Sequence, residues 1–164
     1  MDTDKALRDH LLALLRGRQA AMNFDDVVAD FPPDKMNTFP PNVSYTPWHV
    51  LEHMRITQWD ILDYMRNPNY QEMAWPKDYW PPKEAHADVK AWEQTIQMFR
   101  HDLDEIRAIV TDPKTDFYAP IPHGYGGHTI LREVLLVADH NAYHIGELGI
   151  LRQVIRAWPN DREA

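Results

Sequence analysis

No cysteine occurs anywhere in the chain. That absence excludes disulfides, thiolate zinc sites and a protein-borne thiol nucleophile, so any metal must be held by nitrogen and oxygen ligands. Basic charge is also in short supply. Lys and Arg number 17 against 25 Asp and Glu, a net charge of −8. A surface of this sign lacks the basic patch that nucleic-acid phosphates require, and it is equally unsuited to anionic lipid. No run approaches the ~20 apolar residues of a membrane span. The opening MDTDKALRDHLLALLRGRQ has a short apolar stretch broken by charge and does not read as a signal peptide. The expectation is a cytoplasmic protein with no membrane or nucleic-acid partner. Repeats, low-complexity tracts and strand-like alternation are missing as well.

What is present is helical periodicity. With 164 residues, the chain suits one domain spanning 1–164, large enough to bury a core. Four long helical patterns stand out. The first covers about Asp4–Ala21, with Leu7, Leu11, Leu14 and Leu15 on one face, and a short helical turn follows Asn23. The second starts after Thr46, which can cap it, has Pro47 in its first turn and runs to about Arg66. The third spans about Lys83–Val110. The fourth opens at His128 or Thr129 and continues to about Ala157. Proline-rich segments separate them, including a turn near Asp34. The fold class is therefore all-α, a four-helix bundle whose long loops cover one end.

Nine histidines are available, and two pairs of them repeat at i, i+4. HNAYHIGEL places His140 and His144 one turn apart, on a face that also carries Glu133, Leu136, Val137, Glu147, Leu148 and Leu151. A buried imidazole without a partner is costly, whereas two rings one turn apart can point at a single ion. The opposite face holds Leu131, Val134, Ala138, Ala142, Ile145 and Gly149, so this helix is apolar nearly all round and is buried on two sides. Its small residues admit close approach of another helix, from the same chain or a second subunit.

A catalytic zinc-type site takes three protein ligands and an open position. PWHVLEHM on the second helix supplies His49 and His53, with Val50, Thr57, Asp60 and Tyr64 on the same face. His53 is expected to complete a three-His site, with His49 as a supporting catalytic residue or an alternative ligand. Other metal chemistries fail on residue identity. A zincin needs Glu directly after its first His, and those positions are Asn141 and Val50. Di-iron bundles need Glu three residues before His, and those positions are Thr46, Val50, Val137 and Asn141. Zinc deaminases need Cys. GYGGHT lacks the Lys of a phosphate loop and follows no strand.

Three segments resemble the DinB-like superfamily of metal-binding four-helix bundles: LRDHLLALLRGRQAAMNFDD, TPWHVLEHMRITQWDIL with Trp48 five residues before His53, and IPHGYGGHTILREVLLVADHNAYHIGELGILR. Together they span nearly the whole chain. The resemblance implies metal ligands at His53, His140 and His144, and it does not include His49. It implies a homodimer, and activities such as thiol S-transfer, thiol-dependent isomerisation or metal-dependent hydrolysis.

Three imidazoles suit a divalent transition metal, with Zn or Ni expected first and Fe or Mn possible. Such a metal activates a bound thiol or water. The leading expectation is a metal-dependent enzyme that transfers a low-molecular-weight thiol, supplied as a cosubstrate, to a small-molecule electrophile. The alternatives are a hydrolase and a non-catalytic metal-binding stress-response protein. Glu147 is expected to orient a ligand imidazole or act as a base, against a plain ion pair with an Arg. Asp60 or Thr57 could support His53, against the plainer reading of Asp60 as a solvated residue on a helix edge. His123 and His128 could line the mouth, with His128 read more simply as a cap-region residue. His10, His86 and His101 read as surface residues. The loop AWPKDYW, Ala74 to Trp80, either plugs the bundle end or walls a substrate pocket.

Overall fold

A computed structural model describes residues 3–159. The long helices are α1 (Thr3–Arg16), α3 (Pro47–Arg66), α4 (Val89–Thr111) and α5 (Ile130–Val154), with a short α2 (Phe24–Val28) and a 3-10 turn at Pro33–Lys35. The fold is all-α. Among the described residues there is no strand, only an isolated bridge between Pro120 and Thr129. No helix among them is long and apolar enough to cross a membrane.

The four long helices close a ring. α1 packs on α4, α4 on α3, α3 on α5 and α5 back on α1, while α2 lies against α5. The core inside the ring includes Leu11, Leu51, Met54, Phe99, Ile106 and Leu148, all buried. Apolar burial at roughly 25 cal/mol per Å² is the force that assembles these amphipathic faces.

Side chains cap four of the five helices. Asn23 accepts from the Asp26 amide, Thr46 from His49, Asp88 from Ala91 and Thr129 from Arg132. Three boundaries differ from the expectation. α1 stops at Arg16 rather than Ala21, because Gly17 and Arg18 turn the chain with φ of 75° and 58°. α4 starts at Val89 rather than Lys83. The backbone before it is bonded elsewhere: Ala87 exchanges two hydrogen bonds with the Asn37 side chain, and the Ala85 carbonyl accepts from His49. α5 ends at Val154 rather than Ala157. Arg156 adopts a φ of 55°, and the fully buried Arg152 guanidinium donates to the carbonyls of Val27, Ala29 and Ala157. That guanidinium also sits over the rings of Phe31 and Trp158, locking α2, the end of α5 and the chain beyond it together.

Of the small residues of α5, Ala138 is buried, Ala142 is exposed, and Gly149 is half-buried with Met22 and Val27 of the same chain beside it.

Candidate metal centre

α3 and α5 bring His53, His140 and His144 together, each offering one ring nitrogen within 4.8 Å of the others. His53 and His144 are buried and His140 is half-buried. The three rings meet edge to face, with centroids 4.5–5.0 Å apart.

Hydrogen bonds fix which nitrogen each ring presents. His53 Nδ1 lies 2.7 Å from the Tyr79 carbonyl, which can only accept, so the proton sits on Nδ1 and Nε2 is bare. His144 Nδ1 lies 2.6 Å from Glu147 Oε2 and donates to it, leaving its Nε2 bare as well. His140 Nε2 stands 3.2 Å from His53 Nε2. The His140 Nδ1 and the Asn141 Oδ1 are both buried and find no hydrogen-bond partner among the described residues. When His140 gives Nε2 to a cation, its proton moves to Nδ1, and that orphan becomes a donor beside an orphaned acceptor. The Asn141 side chain favours a proton on His140, and the Glu147 charge does so as well. The donor set therefore fits a three-imidazole metal site with oriented outer nitrogens.

Electrostatics agree with rings kept neutral for coordination. Burial pushes His53 down to about 4, with the His144 charge adding to it and the Tyr79 carbonyl opposing. Burial, then His144 and His53, pushes His140 down to about 3. Glu147 behaves oppositely. Burial pushes it up, but the hydrogen bonds from His144 and Tyr45 together hold it below the usual carboxylate range. The Tyr45 hydroxyl donates to Glu147 Oε1, and this bond raises the phenol to about 12. Glu147 thus pairs with a site histidine, not with an Arg.

His49 stands apart from the three. Its Nδ1 accepts the Thr46 amide at 3.1 Å, and its Nε2 lies 3.0 Å from the Ala85 carbonyl and donates to it. Together with the Thr46 hydroxyl this forms a reciprocal cap at the start of α3. Both ring nitrogens are engaged by backbone, so neither points at the other histidines. The expected role of His49, as a supporting catalytic residue or an alternative ligand, has no counterpart in this geometry.

The linkers supply what periodicity does not reveal. Trp80 stacks flat on His53 at 3.9 Å and lies 5.5 Å from the Tyr45 ring. Asp60 is buried rather than solvated, because Tyr70 and Tyr79 fold over α3 and donate to its two oxygens at 3.0 and 2.8 Å. Burial raises its pKa and the two phenols offset part of that rise. Thr57 Oγ1 reaches His53 Nδ1 only at 3.4 Å. A cavity of about 230 Å³ opens beside His140, bounded by Asp60, Tyr64, Trp75, Tyr79, Tyr125 and Leu136. His128 lies on its wall, 3.2 Å from the Tyr64 hydroxyl. His123 bonds the Tyr64 carbonyl at 2.7 Å, and Gly124 sits where a Cβ would lie 2.7 Å from the Tyr64 hydroxyl. His10, His86 and His101 are exposed. A larger apolar cavity of about 300 Å³ lies between the α1–α2 turn, α4 and α5, away from the three rings.

A helical bundle that gathers three histidines from two helices defines a class of metal-binding proteins. This chain belongs to the DinB superfamily, whose family model matches residues 7–148. No curated protein and no solved structure matches the chain.

Proposed function

We propose that the protein is a metal-dependent enzyme of the cytoplasm that joins a low-molecular-weight thiol to a small electrophile. The observation that carries this reading is the trio of imidazoles with two outer nitrogens already committed to the Tyr79 carbonyl and the Glu147 carboxylate. His53, His140 and His144 would hold a divalent transition metal, zinc or nickel in first place. Such an ion, when bound, lowers the pKa of a coordinated thiol or water.

The chain's own groups supply the rest. Glu147 keeps the proton of His144 on Nδ1 and so keeps Nε2 available. Tyr45 anchors Glu147 from the other side. Trp80 covers His53 and excludes water from that flank. The cavity beside His140 gives an electrophile a place to lie. Since the chain has no cysteine, the thiol must arrive as a cosubstrate. Withdrawal of His49 into the helix cap leaves three ligands rather than four. Three ligands favour an open, catalytic site over a closed structural one. A hydrolase would use the same open position for water.

The test is the metal content of untagged protein, measured by elemental mass spectrometry beside His53→Ala and His144→Ala. The expected outcome is near-stoichiometric metal in the parent chain and its loss from both variants, each still helical by circular dichroism. Metal-loaded protein is then assayed with thiols and electrophiles, and with esters and amides. Full metal content in either variant would sink the site assignment. Metal without turnover on any thiol pair would sink the transferase reading.

A further inference from the structure

The cavity beside His140 has walls of unusual composition. Five of its lining residues are aromatic: Tyr64, Tyr70, Trp75, Tyr79 and Tyr125. They form two groups. Tyr64 meets Tyr70 edge to face at 5.1 Å and Tyr125 at 5.5 Å, while Trp75 meets Tyr79 at 5.4 Å. Asp60 ties the groups together, accepting from Tyr70 on one oxygen and from Tyr79 on the other.

Among the described residues Asp60 has no ion-pair partner: it is 6% exposed, and no Lys, Arg or His forms an ion pair with it. The charges that act on it, Asp63 and Glu72, are both of its own sign. The one Arg on the cavity wall, Arg132, is 2.6 Å from Glu133 and spends its charge there. A buried carboxylate held only by two neutral phenols is poorly compensated. Phenols that donate to a carboxylate gain electron density in their rings, and a cation is drawn to such faces.

We propose that this cavity binds a small organic cation, a quaternary ammonium or a protonated amine, with Asp60 as its counter-ion and the aromatic walls as its cage. An anionic ligand would lie against Asp60 and the already-paired Glu133, and a neutral one would leave Asp60 uncompensated. As a statement of what the metal-dependent reaction takes up, this rests on the functional reading above. As a binding site it stands on the cavity walls.

The experiment titrates the full chain, metal-free and zinc-loaded, with choline. Its neutral isostere 3,3-dimethylbutan-1-ol and the anion 3,3-dimethylbutanoate are titrated alongside, and binding is read by calorimetry and ligand-observed NMR. The expected result is choline binding at least about tenfold tighter than the isostere, with the anion weakest. Asp60→Asn should erase the preference for charge. Should Asp60→Asn fail to fold, Trp75→Ala is the second variant. Trp75 is 71% exposed at the rim, so its loss leaves the core intact and should weaken choline several-fold. Equal binding of choline and the isostere, tighter binding of the anion, or no choline binding into the millimolar range would overturn the proposal. Choline preference in a chain that takes up no metal would overturn the metal centre and leave the cation site standing. Metal uptake without choline preference would do the reverse.

Discussion

His53 and His140 withhold protons that the unfolded chain accepts. Their folded values, about 4 and about 3, lie below the ordinary imidazole value of 6.5 because burial disfavours the charged ring. Between the two values the unfolded state binds more protons than the folded one. Stability of the metal-free protein therefore falls as the pH drops through 6.5 toward 4 for His53 and toward 3 for His140, and above 6.5 these rings contribute no pH dependence. Denaturant melts of metal-free protein at about pH 7 and about pH 5 should show the loss, and a His53→Gln/His140→Gln double variant should show a shallower one. Equal slopes in parent and variant would mean that the rings are not buried neutral. Bound metal should steepen the dependence, since protons compete for the same nitrogens. At this scale the sequence was informative where spacing carries meaning. The i, i+4 pairs put His140 and His144 on one face and offered His53 as the third. It was silent on Tyr45, which reaches Glu147 across 102 positions, and on the Tyr79 carbonyl, a backbone atom that meets His53, and it left the loop holding Trp80 as either plug or pocket wall. No periodicity encodes such contacts. The solvated reading of Asp60 fails for the same reason: helix geometry places it at an edge, and the aromatic linker covers that edge.

The elements divide according to what ends them. α3 begins where Thr46 and Pro47 said it would, because cap and first-turn residues are local signals. α1, α4 and α5 each end or begin short of their apolar pattern. Their flanking backbone finds better partners in the tertiary structure, at Asn37, at Arg152 or in the left-handed turn at Gly17. His49 shows how a cap can imitate a ligand. Its spacing from His53 matches a chelating pair, yet its ring closes the N-terminus of α3 and fastens the linker at Ala85. Burial lowers its pKa, partly offset by the Ala85 bond, as expected of a neutral ring that accepts through Nδ1. His49→Ala removes both bonds from a buried position and should destabilise the fold by about 1–3 kcal/mol in urea melts. The same variant should keep the parent's metal content, because its nitrogens do not face the other three. Loss of metal at unchanged stability would return His49 to the ligand set.

At the scale of the whole molecule, α5 is the one helix with obligations on every side. One face supplies two of the three clustered histidines, and on the opposite side Met22 and Val27 lie beside Gly149. A third face looks outward and carries four large apolar side chains, interspersed with Asp139, Gly146 and Gln153. Leu135, Tyr143, Ile150 and Val154 fall within about 100° of one another around the axis, and all are exposed, Tyr143 at 68% and Ile150 at 64%. Four large apolar side chains along about five turns of one helix are more than scattered surface hydrophobicity. We propose that a second copy of the chain covers it. A two-fold axis across α5 pairs the stripe with itself, and such isologous contacts are the commonest route to dimers. The net charge of −8 on each copy opposes association, so the apolar contact has to outweigh it and salt should favour the pair. Sedimentation equilibrium should therefore give twice the chain mass, more firmly at high salt than at low. Ile150→Glu, which buries a charge at the centre of the stripe, should give the single-chain mass with helicity and metal content unchanged. Tyr143 stands in both settings, exposed on the stripe and 4.8 Å from the His144 ring, so the interface would run up to the wall of the metal centre. A parent chain that sediments as a monomer at every salt concentration would dispose of the dimer and leave the stripe without an occupant.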